Sequence, residues 1–423
     1  MSWFSIFRPP VYSTSAAAFK SLVKSNFAAQ LSEQIALACA PLVAVLALGA
    51  TASQTGGLQT AQTLPFLLFA LPAGVLADRY ARRTLMLAAE AVRAGALLAI
   101  VALLASQALQ LYSLALLGFI GAAGTVLYSV AAPALVPQLV SRAHLTSANR
   151  SIELARSIAF VAGPAMGGSI VGAMGASTAY VLATMLSLVA FGLLVQLPRQ
   201  SKVAAPAVPA ASRAWLELCE GATFVCKHAL LRPLMITALL FNTAWFIFQA
   251  VYVAYAIERL ALNATGVGLT LGCYGAGMVA GALIAPVLSR HVSYGTLVVV
   301  GPASALMAAL LMLATTFQVS ITLAACAMFL FGAGPILWTI ATTTLRQTVT
   351  PNALLGRVSS VILAATYGAR PIGAGIGAIM AAQYGVDACL WASTLFFAAQ
   401  FAMICVSPVR RLVALPREQN MST

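Results

Sequence analysis

The stretch GVLADRYARRTLML, residues 74–87, sets one acid and three arginines, Asp78, Arg79, Arg82 and Arg83, between two apolar runs. Its surroundings make that unusual. Of 423 residues, 61% are hydrophobic and only 8% charged, with a mean hydropathy of +0.95. Soluble domains are closer to half apolar and a quarter charged. A water-soluble core does not bury this much apolar surface, so lipid is the solvent for most of the chain. A knot of charge between two apolar runs then reads as a turn at a membrane surface.

Working outward from that turn, a spanning helix needs about 20 mostly apolar residues. Twelve segments qualify. The first six are 23–49, 56–77, 85–106, 109–132, 151–173 and 176–197; the next six are 232–256, 265–288, 294–315, 319–341, 358–381 and 386–407. This predicts an all-α membrane protein with twelve transmembrane helices in two pseudo-symmetric six-helix bundles. Its parts are an N-terminal segment (1–22), a first bundle (23–197), a central loop (198–231), a second bundle (232–407) and a tail (408–423). The loop starts as an Ala-, Pro- and Ser-rich linker. From Ala211 to Lys227 the apolar residues Trp215, Leu218, Ala222 and Val225 follow helical spacing, which predicts an amphipathic helix on the membrane surface.

The formal charge of +14 would suggest nucleic acid in a soluble protein. Here position matters more than sum. Nineteen of the 23 basic residues fall before span one or after an even-numbered span, and only Arg259 lies near an opposite-side loop. Arg93, Arg156 and Arg370 fall within spans. The bias predicts both termini in the cytoplasm, a multi-pass protein of the inner membrane, and no nucleic-acid partner. The first 26 residues lack a compact apolar core with a small-residue cleavage site, so they do not read as a cleaved signal. The seven cysteines form no CxxC pair and read as packing.

The chain also repeats. ALVPQLVSRAHLTSANRSIELA from Ala134 resembles TLRQTVTPNALLGRVSSVILA from Thr344, and each leads into a glycine cluster, at Gly163 and Gly373, 210 residues apart. Six plus six helices joined by a long loop is a transporter plan. Within that plan, GVLADRYARR resembles the G-x-L-a-D-r-x-G-r-R/K signature of the major facilitator superfamily, between its second and third helices. Gly74, Leu76, Asp78, Arg79, Arg82 and Arg83 match; Ala81 replaces the second glycine. The equivalent loop of the second half keeps only Gly281 and Arg290. The ALVPQLV…L…AN segment, Glu90 with Arg93, and Arg156 ahead of GPAMGG are similar to the branch that holds the enterobactin exporter and macrolide efflux proteins. The resemblance implies that Gly74, Asp78, Arg79, Arg82 and Arg83 form a gate, with Asp78 acting against helix 11 and the neighbouring arginines. The bland alternative is charge that only sets topology.

Glu33 is the sharpest single residue. A carboxylate this deep in a span costs roughly 2.5–3.5 kcal/mol on insertion scales, so it faces a cavity or a partner. Asn26, Gln30, Glu33 and Gln34 form a polar stripe. The functional reading is proton coupling or binding of a cationic substrate; the alternative is a structural pair with an arginine of another helix. Arg370, between Gly and Pro neighbours in span eleven, either holds an anionic substrate or pairs with Glu33, so the two stand together as proton-coupling candidates. Glu90, Arg93, Glu153 and Arg156 read as a structural charge network. Asn242, Trp245, Gln249 and Tyr252 give span seven a polar face. Together with Gln30 and Gln34, these residues predict a central substrate cavity. Tyr128, Tyr274, Trp338 and Tyr367 are further cavity candidates, each also explicable as packing.

His144, His228 and His291 do not cluster, so no metal site is expected. There is no GxxxxGK[ST] stretch, so no nucleotide and no cofactor is expected, and no enzyme active site is recognisable. The expected partners are a small-molecule substrate, protons and the lipid bilayer, with the chain acting as a monomer. The resulting reading is a secondary active, proton-coupled exporter of an amphiphilic drug or siderophore. Rivals are a proton-coupled importer of a nutrient or iron–siderophore, a lipid flippase, and a non-transporting sensor.

Overall fold

In the computed structural model, residues 15–140, 145–198, 210–351 and 354–415 are described. Every regular element among them is helical. The first bundle comprises α1 (Ser15–Leu46), α2 (Ala52–Arg79), α3 (Arg82–Ala105), α4 (Leu111–Leu139), α5 (Leu145–Met174) and α6 (Ala176–Val195). After the connecting helix α7 (Ala210–Lys227), the second comprises α8 (Leu231–Glu258), α9 (Ala264–His291), α10 (Tyr294–Ala314), α11 (Ile321–Val349) and α12 (Leu355–Val406). Ten of these are long and apolar enough alone to cross a bilayer. The 52-residue α12 turns back at Gly385, whose φ of 81° is open to glycine, and so supplies two spans, arms 355–384 and 386–406. With α2 alongside, the twelve spans are complete.

The observed helices overrun the predicted spans by up to about two turns at the end that carries the α2–α3 turn and the start of α1, here the basic end. α4, α5 and α11 all extend there beyond their apolar stretch. Hydropathy marks the slab of lipid, whereas helix ends are set by caps. Thr51, Asn263, Ser293 and Ser320 each accept the N–H of a first-turn residue and fix the starts of α2, α9, α10 and α11. The turn that opened the sequence is also shorter than expected: Asp78 and Arg79 close α2, and only Tyr80 and Ala81 separate it from α3.

Side chains that face outward are apolar, including Met185, Val189, Leu283, Val287 and Leu395. With hydrocarbon outside, burial of apolar groups does not drive helices together, so close packing and interhelical hydrogen bonds carry the association. Ser25 and Ser32 donate to the carbonyls of Ala190 and Ala183, at 2.9 and 2.6 Å, and tie α1 to α6. Tyr252 donates to Thr270 at 2.5 Å and ties α8 to α9. Between bundles, α5 meets α9 and α2 meets the first arm of α12. Gly168 faces Gly268 backbone to backbone; a Cβ on Gly168 would lie 2.7 Å from the Ala264 carbonyl oxygen. Gly56 is as close to Ala378, at 2.8 Å. Thr55 crosses the divide and donates to the Ala250 carbonyl at 3.1 Å. The close contacts between bundles at Gly168, Gly56 and Thr55 lie in the half away from the basic end.

Helix α7 matches its predicted range. Its face of Leu218, Ala222 and Val225 turns inward, onto Leu231, Leu345 and Val358 of the second bundle, with Arg357 bonded to Glu220 at 2.5 Å. These apolar residues are covered by protein rather than by lipid. Side chains 211–217, Trp215 among them, lie outside the described residues. Of the cysteines, Cys39 and Cys389 are buried, as packing predicts, but Cys219, Cys226 and Cys326 are exposed.

Candidate transport site

A cavity of about 270 Å³ opens where the bundles face each other. Its polar wall is built mostly by the first bundle. Glu33 and Gln34 come from α1, Gln59, Gln62 and Thr63 from α2, Arg93 from α3, and Thr125 from α4. The second bundle supplies Trp245, Phe246 and Gln249 from α8, Tyr274 from α9 and Arg370 from α12. The lining also includes apolar residues of the first bundle, Pro41, Leu97, Ile100, Leu114 and Gly121 among them.

Behind the polar wall lies a chain of charges. Arg93 bonds Glu90 one helical turn away, donates to the Ala29 carbonyl at 2.9 Å, and stands over the Tyr128 ring at 5.7 Å. Ser187 of α6 donates to the other Glu90 oxygen at 2.8 Å. Glu90 is thus fully satisfied and completely buried. Glu33 approaches the same guanidinium only to 3.7 Å, an ion pair without a hydrogen bond, and its side chain is 15% exposed against 0% for Glu90. One arginine therefore serves two carboxylates unequally. Glu90 belongs to the packing, and Glu33 is the carboxylate presented to the cavity.

Arg370 stands apart. Among the described residues it pairs with no carboxylate, and its Nε has no hydrogen-bond partner. Three rings surround it instead: Tyr367 at 4.4 Å, Phe66 at 5.4 Å and Phe246 at 5.6 Å. Phe66 meets Tyr367 edge-on at 5.3 Å, so the cage draws on both bundles. The alternative of a direct Glu33–Arg370 pair is not what forms; Arg93 holds Glu33 instead, because α3 packs inside the same bundle as α1.

The other predicted residues divide. Gln34, Trp245, Gln249 and Tyr274 line the cavity. Gln30 does not. Asn242 bonds the Ala238 carbonyl of its own helix at 2.9 Å. Tyr252 is spent on Thr270. Tyr128 is packed behind Arg93. Trp338 lies against Gly301 at the α10–α11 contact. Tyr367 serves the arginine cage rather than the wall. The reason is common: helical spacing puts residues on a face but does not say which neighbour that face meets. Arg156 stands over Phe160 at 5.7 Å, while the Glu153 side chain lies outside the described residues. So do the side chains of Asp78 and Arg79, and His144 entirely. Gly74 belongs to α2 and Arg82 opens α3. Arg83 donates from Nε and Nη2 to the carbonyls of Leu194 and Val195, at 3.1 and 2.7 Å, at the α6 C-terminus where a cation is favoured. The missed cavity residues Gln59, Gln62, Thr63 and Phe66 fall at i, i+3, i+4 and i+7 in QTAQTLPF, a stripe as legible as that of α1.

The family described as transmembrane secretion effector matches residues 13–421, nearly the whole chain. The chain belongs to that family. It is accordingly a multi-pass membrane transporter of the major facilitator type. The chain is 28% identical to the multidrug efflux pump Tap of Mycolicibacterium fortuitum over 347 residues, 79% of this chain and 82% of that one. Among solved structures it is similar in fold to a POT family transporter in complex with a thioalcohol-conjugated peptide (TM-score 0.75, 14% identity, 92% of this chain and 96% of that one). It is similar also to a bacterial homologue of the iron transporter ferroportin in an inward-facing state (TM-score 0.71, 15% identity, 96% and 99%). At such identities these likenesses speak for the fold alone.

Proposed function

We propose that this transmembrane secretion effector is a proton-coupled exporter of a small amphiphile, drug or siderophore, acting as a monomer in the bacterial inner membrane with both termini in the cytoplasm. The observation that carries the proposal is Glu33, an incompletely paired carboxylate presented to a cavity between two bundles. With both glutamates ionised, the Glu33–Arg93–Glu90 chain carries one net negative charge in a low-dielectric interior; one proton cancels it. Charges so placed are costly and mark ion pathways. A cargo group that engages Glu33 competes with that proton, and this exclusion is what antiport requires. The bundles rock about the cavity, driven by a proton that gains roughly 2.3 kcal/mol per 100 mV. Asp78 and its neighbouring arginines gate the basic end. The likeness to Tap supports the outward direction, and a cavity lined by aromatic and amide groups with charges of both signs supports an amphiphilic cargo.

The test uses everted vesicles with an acid interior and a panel of antibiotics, cationic dyes and a catecholate siderophore. The expected result is substrate-dependent proton release that Glu33→Gln abolishes. Undiminished exchange in Glu33→Gln protein overturns the coupling role. Uptake only with the gradient reversed identifies an importer, and lipid scrambling without proton movement identifies a flippase.

A further inference from the structure

We infer that Arg370 is the subsite for an acidic group of the cargo, so that the preferred substrate is an amphiphile carrying both an acidic and a basic group. This rests on the exporter reading above and narrows its substrate class.

The argument starts from how a guanidinium is satisfied. Its two faces attract aromatic rings, and its edges carry in-plane N–H donors shaped for a carboxylate or another planar oxyanion. Around Arg370 three rings stand within 4.4–5.6 Å, while Nε lacks any acceptor and no described carboxylate pairs with it. Rings supply no acceptor for those N–H groups. A buried cation left in that condition is costly, and the cost is relieved by an anion that takes the free edge. Arg93 differs in its terminal nitrogens: although its Nε also lacks a partner, its Nη1 donates to the Ala29 carbonyl and its Nη2 bonds the Glu90 carboxylate.

The backbone favours this presentation. Pro371 follows Arg370 inside the helix and lacks an N–H, and Gly373 packs against the Thr243 carbonyl, where a Cβ would lie at 2.5 Å. The arm of α12 is thus held against α8 with the guanidinium facing the cavity, whose wall includes Arg370 itself. Across the cavity the first bundle offers Glu33. A cargo with an acid at Arg370 and a base at Glu33 would be neutral overall, displace the coupling proton, and bridge both bundles. A ligand that touches both halves has different affinity for different arrangements of them, the condition for driving a conformational change. Its apolar body would lie against Leu97, Leu114 and Gly121 of the lining.

The test compares a fluorescent rhodamine with a free carboxyl group, a zwitterion, with its methyl ester, a cation of the same shape. In everted vesicles with an acid interior, the wild type is expected to accumulate the acid at least about tenfold better than the ester, the scale of one charge-assisted hydrogen bond. Arg370→Gln is expected to lose that preference, and Arg370→Lys to keep part of it. Equal handling of the two dyes by the wild type, or an acid preference that survives in Arg370→Gln, overturns the proposal. Should neither dye be carried, anisotropy with the purified protein reads the same preference in binding, and its absence overturns the proposal too. The two readings fail separately. Proton-driven export of other compounds without acid preference removes only the Arg370 subsite. Acid-preferring binding without substrate-dependent proton release removes only the exporter reading.

Discussion

The two bundles descend from one plan and have solved the problem of a polar centre differently. In the first, charge is neutralised by charge: Arg93 between Glu90 and Glu33, with Ser187 completing the shell. In the second, the centre is aromatic. Trp245, Phe248, Phe331 and Phe397 pack at tilted and edge-on angles with centroids 5.2–5.6 Å apart, and the cation beside them on the cavity wall, Arg370, is held by rings. Hydrogen-bonded ions fix one geometry, because separating them exposes a bare charge to low dielectric. Ring contacts are weaker and less directional. The first bundle thus holds its carboxylates in one geometry, whereas the second leaves its cation without a carboxylate among the described residues.

The comparison breaks most visibly at Arg93. Replacing it with Met leaves two carboxylates in the bundle without their cation, and about 3–5 kcal/mol of stability should be lost. Arg370→Met strands no acid and removes a cation that is itself costly to bury, so it should cost less, about 2 kcal/mol at most, the scale of a desolvated cation–ring contact. Thermal unfolding of the two purified variants in the same detergent checks the difference, and equal losses would end the distinction between the bundles.

Next in size is Glu33→Gln, which keeps shape and removes the titrating group. Substrate-dependent proton release should fall at least about 100-fold, the lower range for loss of a positioned proton-transfer group, with little change in unfolding temperature. Glu90→Gln is the counterpart: it should lower stability more than transport.

The joint between bundles is sharpened by Gly168→Leu. The side chain cannot fit against Gly268 and the Ala264 carbonyl, and overpacking of this kind costs about 1–3 kcal/mol. The cost falls on the arrangement described here, so cysteine labelling near Thr265 should rise and transport should slow. At Gly121, on the cavity lining, a Cβ would meet only the Ala96 Cβ, at 4.0 Å, so Gly121→Leu should leave folding unchanged and narrow the cavity.

The smallest effect is expected where α7 enters the second bundle. The N–H groups of Leu230 and Leu231 donate to His228 Nδ1, at 3.2 and 3.4 Å, and burial holds the imidazole below its ordinary pKa. An acceptor nitrogen must be neutral. The cap is therefore intact above the ordinary histidine pKa and is lost as pH falls through the lowered folded value. His228→Ala should cost about 1 kcal/mol, the usual worth of a cap, and should remove the corresponding acid-side decline in unfolding temperature.

Much of this is legible in the sequence. Twelve spans, the break between 381 and 386, the amphipathic helix and the duplicated halves follow from hydropathy and period. Glu33 could be singled out because a lone carboxylate in an apolar run is expensive wherever the helix goes. The partners of these residues were not legible. Arg93 and Arg370 read alike along the chain, as single arginines inside spans. One is enclosed by carboxylates and the other by rings, because their helices occupy different bundles. Trp338 and Tyr252 read as cavity residues and are packing; Gln59 and Gln62 form the wall, and their helical spacing marks a polar stripe without saying what it faces.

The sequence alone determined that this chain lives in a bilayer, how often it crosses, and that it repeats, since the solvent acts on each segment independently and its demand is written in local composition. Only the tertiary structure decided that Glu33 is shared with Glu90 through Arg93, that Arg370 is caged without an acid, and which polar stripes face one another. Those facts depend on the rotation and neighbours of each helix. In lipid these are set by close glycine contacts and interhelical hydrogen bonds between residues far apart in the chain, such as Gly168 with Gly268 and Thr55 with Ala250.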